Sequence, residues 1–178
     1  SYSPTLPEDM TDIKIQDSSD SYTPDGWKMI FNDEFDGTSL DTSKWSYDEG
    51  FLLDENDINT AGWGNQELEY YTRDNVSVKE GALNINMKKQ LKEFTQKNDS
   101  SKKATAQYSS GKITTKDKFS VKYGRVDFRA KMPIGTGVWP AMWMLPNDSR
   151  YGSWPLSGEI DVFEGRGRTP NMVFGVLP

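Results

Sequence analysis

From Trp27 onward the apolar residues of this chain recur at every second position in short runs, and the runs end in Gly, Asn or Asp. That period belongs to strands, whose side chains alternate between two faces. "VSVKEGALNINMKK" predicts a hairpin, with Val76 and Val78 before the turn "KEG" and Leu83, Ile85 and Met87 alternating after it. "KFSVKYGRVDFRAKM" puts Val126, Phe128 and Ala130 on one face, and "WKMIFNDEF", "GVWPAMWML", "GEIDVFE" and "NMVFGV" read as further strands. The stretch 88–103, "KKQLKEFTQKNDSSKK", is polar and Lys-rich and reads as a solvated loop. A long amphipathic helix is written nowhere. Many short strands joined by Gly- and Asn-containing turns predict an all-β fold, an antiparallel β-sandwich of jelly-roll type. Residues 1–25, rich in Ser, Thr, Pro and Asp, read as a linker or N-terminal arm, which leaves residues 26–178 as the domain.

Composition then removes whole classes of chemistry. The 178 residues contain no Cys and no His. Disulfides, thiolate metal sites, His-ligated zinc and His-based nucleophile systems are therefore excluded. Acid–base chemistry near neutral pH falls to carboxylates, Lys or Tyr. The net charge of −6 argues against nucleic acid as a partner, because phosphates need a basic face. No apolar run approaches a membrane span, so no membrane partner is expected. Aromatic residues make up 12% of the chain and suit neutral, hydroxyl-rich ligands whose apolar ring faces stack on side chains. The chain begins at Ser1, which reads as a removed signal or upstream module, and a secreted protein is expected. Asn75, Asn98 and Asn147 each open an N-x-S pattern for glycosylation, a short motif that also recurs by chance.

The acids cluster in "SGEIDVFEG", where Glu159, Asp161 and Glu164 fall within six residues of an otherwise apolar run. Glu159 and Asp161 share a face, and Ile160 and Val162 turn the other way, toward a core. In a regular strand Glu164 would join Ile160 and Val162 as a buried, unpaired charge costing several kcal/mol. One extra residue, a β-bulge at Val162–Phe163, returns Glu164 to the face of Asp161. Three carboxylates on one surface suit glycoside hydrolysis, in which one carboxyl is ionised and another protonated on either side of the scissile bond. Close like charges disfavour simultaneous ionisation and raise one of the pKa values. The same pattern also suits a cation site or a solvated acidic edge.

Aromatic residues surround this strand in the sequence. Trp139, Ala141 and Trp143 share one parity, Trp154 lies five residues before Glu159, and "GWGNQELEYY" adds Trp63, Asn65, Glu67 and Tyr70. Trp in a core is the ordinary alternative to Trp as a sugar platform. Trp139 and Trp143, about 13 Å apart on one strand face, span consecutive sugar rings.

With these residues in view, the chain resembles the glycoside hydrolases of family 16. "GEIDVFE" looks like the bulged active-site strand E-x-D-x-x-E, and "FNDEFDGTSLDTSKW", "WGNQELEYYT", "SSGKITTKDKFSVKYGRVDFRAKMP", "GTGVWPAMWML" and "SWPLSGEIDVFEGRG" follow the family pattern in order over residues 27–176. The bacterial laminarinases, endo-acting β-1,3-glucanases, are the most similar group. The resemblance implies a jelly roll with a concave sugar-binding cleft and retaining hydrolysis of β-1,3-glucan, with mixed-linkage β-1,3-1,4-glucan as a further substrate. It implies Glu159 as nucleophile, Glu164 as general acid/base and Asp161 as the supporting carboxylate. Asn65, Lys112, Trp139, Trp143 and Trp154 would bind glucosyl units, with Lys112 standing where the family often has Arg. No cofactor is implied for the chemistry. A structural calcium is implied, with Glu34 and Gly81 as ligands through backbone carbonyls.

Two departures bear on what to expect. The family's ending G-T-x-H is replaced here by "GVLP", so the cleft gains no His. The family domain also continues beyond this point, so residues 26–178 are expected to be its N-terminal part, without the C-terminal strands. On that expectation the sandwich is completed by a second chain or fragment, and the isolated chain is poorly active or inactive. A non-catalytic β-glucan-binding protein on the same scaffold is the other reading, although such relatives typically lose the Glu pair that is present here.

Overall fold

A computed structural model describes residues 25–177. The expected N-terminal arm, apart from Asp25, lies outside them. The described residues form ten strands and no helix longer than a single turn. The strands are β1 (Ser46–Asp48), β2 (Glu69–Tyr71), β3 (Val76–Lys79), β4 (Ala82–Ile85), β5 (Lys88–Gln96), β6 (Asp99–Ser110), β7 (Lys112–Thr114), β8 (Ala141–Met144), β9 (Ile160–Gly165) and β10 (Val173–Val176). They fall in two compact units. One holds the described residues up to Asp41 together with Tyr47–Lys112, and the other holds Thr42–Ser46 and the chain from Ile113 onward.

In the first unit the expected hairpin is present. β3 and β4 pair antiparallel from Val76↔Ile85 to Lys79↔Ala82. Glu80 and Gly81 close the turn with φ of 54° and 66°, the doubly left-handed geometry that matches strand twist. The stretch 88–103 is not a loop. It supplies β5, a two-residue turn at Lys97 and Asn98, and the start of β6, with Gln96 opposite Asp99. Its charges sit on the solvent side, where Lys103 Nζ lies 2.7 Å from Glu93 Oε1. Phe94 supplies the apolar contact, 5.4 Å from the Phe51 ring and 5.5 Å from the Tyr70 ring. One well-placed aromatic and cross-strand charge pairs suffice for a strand that looks soluble by composition.

Phe51, Tyr70 and Ala106 are the buried centre of this unit, with Leu52, Ala61, Phe94 and Ala104 packed around them. β2 pairs with β6 in parallel, Glu69 opposite Tyr108 and Tyr71 opposite Ser110, a departure from a purely antiparallel arrangement. The chain between them passes through the β3–β4 hairpin and β5, so β6 is reached by a crossover. Asn75 is buried, donating from Nδ2 to Asn86 O at 2.5 Å and to Ser109 Oγ at 3.0 Å. The glycosylation pattern at Asn75 therefore marks a structural amide that no glycan can reach.

In the second unit β9 is the central strand, antiparallel to β8 on one side and β10 on the other. Two expected strands are missing. Residues 27–35 and 118–132 contain no ladder, and Val126 and Phe128 are exposed. Alternation allows a strand but does not supply the neighbour whose N–H and C=O groups complete it. Ile160 and Val162, expected to face a core, are 45% and 37% exposed, and no described residue of this unit buries them.

Asn75→Ala is expected to destabilise the protein by about 2 kcal/mol, since it strands the Asn86 carbonyl in a dry site and leaves the Ser109 hydroxyl with only its bond to Gln90 Oε1. Urea unfolding should show this, with Asn84→Ala, which removes only an exposed contact to Ala82 O, as a control close to wild type.

Candidate active site

The register of β9 against both neighbours places the carboxylates. On one side Ala141 faces Glu164, Met142 faces Phe163, Trp143 faces Asp161 and Met144 faces Ile160. One step along β8, from Met142 to Trp143, spans two along β9, from Phe163 to Asp161, so Val162 is an extra residue. On the other side, two steps of β10 from Phe174 to Val176 span three of β9, from Glu164 to Asp161. Both ladders record the same bulge, in the place the sequence predicts. Ala141 and Trp143 alternate on β8 and share a face, so their partners Glu164 and Asp161 share it too.

Glu159 stands just before β9 and is half-buried, as is Glu164, whereas Asp161 is buried. Each Glu accepts a hydrogen bond from an indole. Trp154 Nε1–H donates to Glu159 Oε2 at 2.5 Å, and Trp139 Nε1–H donates to Glu164 Oε1 at 3.1 Å. The two donors are 66% and 55% exposed, and Trp143 is 38% exposed, so none of the three is a core Trp. Trp154 and Trp139 thus commit their N–H groups to carboxylates while much of each side chain stays exposed.

The Glu159 carboxyl is pushed above its ordinary value of 4.5, chiefly by burial. The Trp154 hydrogen bond pulls the other way, and the charge of Asp161, a hydrogen bond shared with it and the charge of Glu164 push further upward. Glu159 thus senses both other acids, which brings all three into one electrostatic site. The upward direction means that the Glu159 carboxylate forms at a higher pH than that of a free carboxyl.

Asn65 and Lys112 lie in the first unit and form a separate cluster. Asn65 Nδ2 donates to Glu67 Oε1 at 3.4 Å, and Tyr71 OH donates to Glu67 Oε2 at 2.5 Å. Lys112 Nζ stands 4.2 Å from the Trp63 ring centroid and 3.5 Å from Asp48 Oδ2. Burial, opposed by its own hydrogen bonds and aided by the charge of Glu67, raises the Glu69 pKa. Burial and the Glu67 hydrogen bond likewise raise that of Tyr71. Trp63 takes a left-handed φ of 56° and donates from Nε1 to Gly50 O at 3.2 Å. Tyr70, grouped by sequence with the sugar platform, belongs instead to the core beside Phe51. Sequence reasoning missed Tyr71, Glu69 and Asp48. Strand parity carries the signal for Tyr71, which alternates with Glu69 and with Glu67 just ahead of the strand.

For a calcium ion the relevant neighbourhood is the Gly81 turn. Asp36 Oδ1 lies 3.9 Å from the position a Cβ on Gly81 would take, so the loop that carries Glu34 runs beside that turn. Among the described residues no group of three Asp or Glu side chains is placed to hold a metal ion, so a cation at the Gly81 turn would draw on carbonyl oxygens. Oxygen donors of this type suit calcium.

Paired carboxyls on a strand face, each held by an indole donor, make up the functional equipment of glycoside hydrolases. Comparison with known proteins agrees. The family profile described as "XgeA-like, catalytic GH16 domain" matches residues 54–174. Glucan endo-1,3-beta-glucosidase A1 of Niallia circulans is 55% identical over 95% of this chain, and Beta-glucanase of Rhodothermus marinus is 40% identical over 85%. The laminarinase catalytic domain of Thermotoga maritima MSB8 superimposes with a TM-score of 0.71 at 37% identity over 85% of this chain. The chain belongs to glycoside hydrolase family 16, and the all-β jelly-roll class expected from the sequence is the fold of its structural relatives. It spans 24% and 48% of the two sequence relatives and 56% of the solved one.

Asp161→Asn should move the Glu159 titration down toward the ordinary 4.5, because an amide carries no charge and can donate to the ionised carboxyl. A carboxyl-carbon NMR titration, with Glu159→Gln used for assignment, measures the midpoint, and an unchanged or higher value contradicts the coupling.

Proposed function

We propose that the protein is an endo-acting, retaining β-1,3-glucanase that also cleaves mixed-linkage β-1,3-1,4-glucan. The observation that carries this is the bulge in β9, which puts Glu164 on the face of Asp161 and, with Glu159 coupled to both, supplies an acid and a nucleophile at one site. Supporting it are the named activities of its relatives, a glucan endo-1,3-beta-glucosidase and a beta-glucanase.

In this mechanism Glu159 attacks the anomeric carbon as a carboxylate while Glu164 gives its proton to the departing glycosidic oxygen. Glu164 then takes a proton from water, which displaces Glu159 and restores the original anomeric configuration. Asp161 positions the Glu159 carboxyl through the hydrogen bond between them. The exposed faces of Trp139, Trp143 and Trp154 stack on glucosyl rings. Asn65 and Lys112 offer an amide and an ammonium to sugar hydroxyls. A polymer of this size is cut outside the cell, so secretion is part of the proposal. A calcium on the Glu34 and Gly81 carbonyls has a structural part only, tying a loop to a turn, and chelation would then lower the melting temperature without changing the ratio of substrates cleaved.

Glu159→Gln and Glu164→Gln should each lower kcat on laminarin by roughly a thousandfold or more with little change in binding, since each removes one half of the double displacement. Reducing-end release measures the rate, and NMR of the first product formed should show the retained anomer. Binding of laminarin without cleavage by the unaltered protein would instead favour a β-glucan-binding role. Inversion of the product would overturn the mechanism.

A further inference from the structure

Beyond Glu164 the β8–β9 ladder runs on past the ends of both strands. Gly165 N–H donates to Pro140 O at 2.9 Å, Gly167 N–H donates to Val138 O at 2.9 Å, and Gly135 N–H donates to Gly167 O at 3.0 Å. The approach is close enough that a Cβ on Gly167 would stand 2.3 Å from Gly135 O. With Gly165 set against Pro140 and Gly167 against Val138, Arg166 comes opposite Trp139. It therefore lies on the face that Ala141 and Glu164 share.

The guanidinium carbon of Arg166 is 5.0 Å from the Trp139 ring centroid and 4.8 Å from that of Phe174. Phe174 is the partner of Glu164 on β10, and Trp139 is the donor to Glu164 Oε1. Arg166 thus fits between the two aromatic residues that flank Glu164. Its Nε is buried with no hydrogen-bond partner among the described residues, so at that atom the group is held by ring faces rather than by hydrogen bonds. A planar cation between two π faces is a stable arrangement, and Lys, a point charge, reproduces it only in part. Trp139 is largely exposed, and the Arg166 stack covers a ring of which more than half is open to solvent.

We infer that Arg166 is a positioning residue: stacked between Trp139 and Phe174, it keeps the Trp139 indole N–H on Glu164 and so orients that carboxyl for proton transfer. The acid/base role of Glu164 rests on the glucanase reading; the contact chain from Arg166 to Glu164 does not. The charged groups around Glu164 are Glu159, Asp161 and Arg166, while β8 presents Ala141 and Trp143, with Trp139 just ahead of it, and β10 presents Phe174 and Val176.

The test uses protein labelled with ¹⁵N in the indoles of its six Trp residues, with Trp139→Phe assigning the Trp139 signal. In the unaltered protein that signal should respond to pH through its hydrogen bond to Glu164, and Glu164→Gln should flatten the response. Arg166→Met should also flatten it while the other indole signals stay in place, and kcat should fall about tenfold, the effect of losing one charge-assisted hydrogen bond. Arg166→Lys should keep part of both. Arg166→Met combined with Trp139→Phe should be no slower than Trp139→Phe alone. A full pH response of Trp139 in Arg166→Met, or rate losses that multiply in the double variant, would overturn the inference. If Arg166→Met disturbs the other indole signals, the Arg166→Lys spectrum decides by the same criterion. An unaltered protein that shows the coupled Trp139 response yet cleaves no β-glucan would sink the glucanase reading and leave the positioning chain standing.

Discussion

Like-charge repulsion among three neighbouring carboxyls is the constraint from which the rest of the second unit follows. A regular strand from Glu159 to Glu164 would relieve it by sending Glu164 to the opposite face, away from the other two acids. The backbone instead accepts an extra residue at Val162, recorded in the ladders on both sides of β9. The repulsion is thereby retained, and it adds to burial, the larger cause, in raising the Glu159 carboxyl above its ordinary value. Strain of this kind persists only where something else holds the groups in place.

What holds them is mostly aromatic. Trp154 and Trp139 each commit an N–H to one Glu and leave much of the side chain exposed. One residue type thus does two tasks: the polar edge orients a carboxylate and the apolar face is free to meet a sugar. Arg166 and Phe174 extend the arrangement by one layer, so that the orientation of Glu164 depends on residues that never touch it through a hydrogen bond of their own. A site built this way tolerates exposure, because an indole has fewer rotatable bonds than long flexible side chains and loses less freedom when held.

The sequence was most legible where a local rule had a single solution. A Glu-Gly pair between alternating runs has to be a two-residue hairpin turn, and an acid of the wrong parity on an acidic strand has to be relieved by a bulge. It was least legible where the deciding partner lay far along the chain. Phe94 turns a Lys-rich stretch into a long hairpin because Phe51 and Tyr70 wait for it, and neither is near it in sequence. Residues 118–132 alternate well yet carry no ladder, because alternation says nothing about who supplies the hydrogen bonds. Tyr70 resembled a platform residue and proved to be core, since adjacent strand positions with similar side chains differ only in the face they present.

By itself the sequence determined the strand period, the absence of thiol and imidazole chemistry, the three acids and the parity break that requires a bulge. These are properties of neighbouring residues, and covalent geometry transmits them without help. Tertiary structure decided which indole serves which carboxylate, how burial and then the charges of Asp161 and Glu164 raise Glu159, and that Arg166 faces Trp139. Those outcomes depend on the register between β8, β9 and β10, and register is set by hydrogen bonds between segments that only the fold brings together.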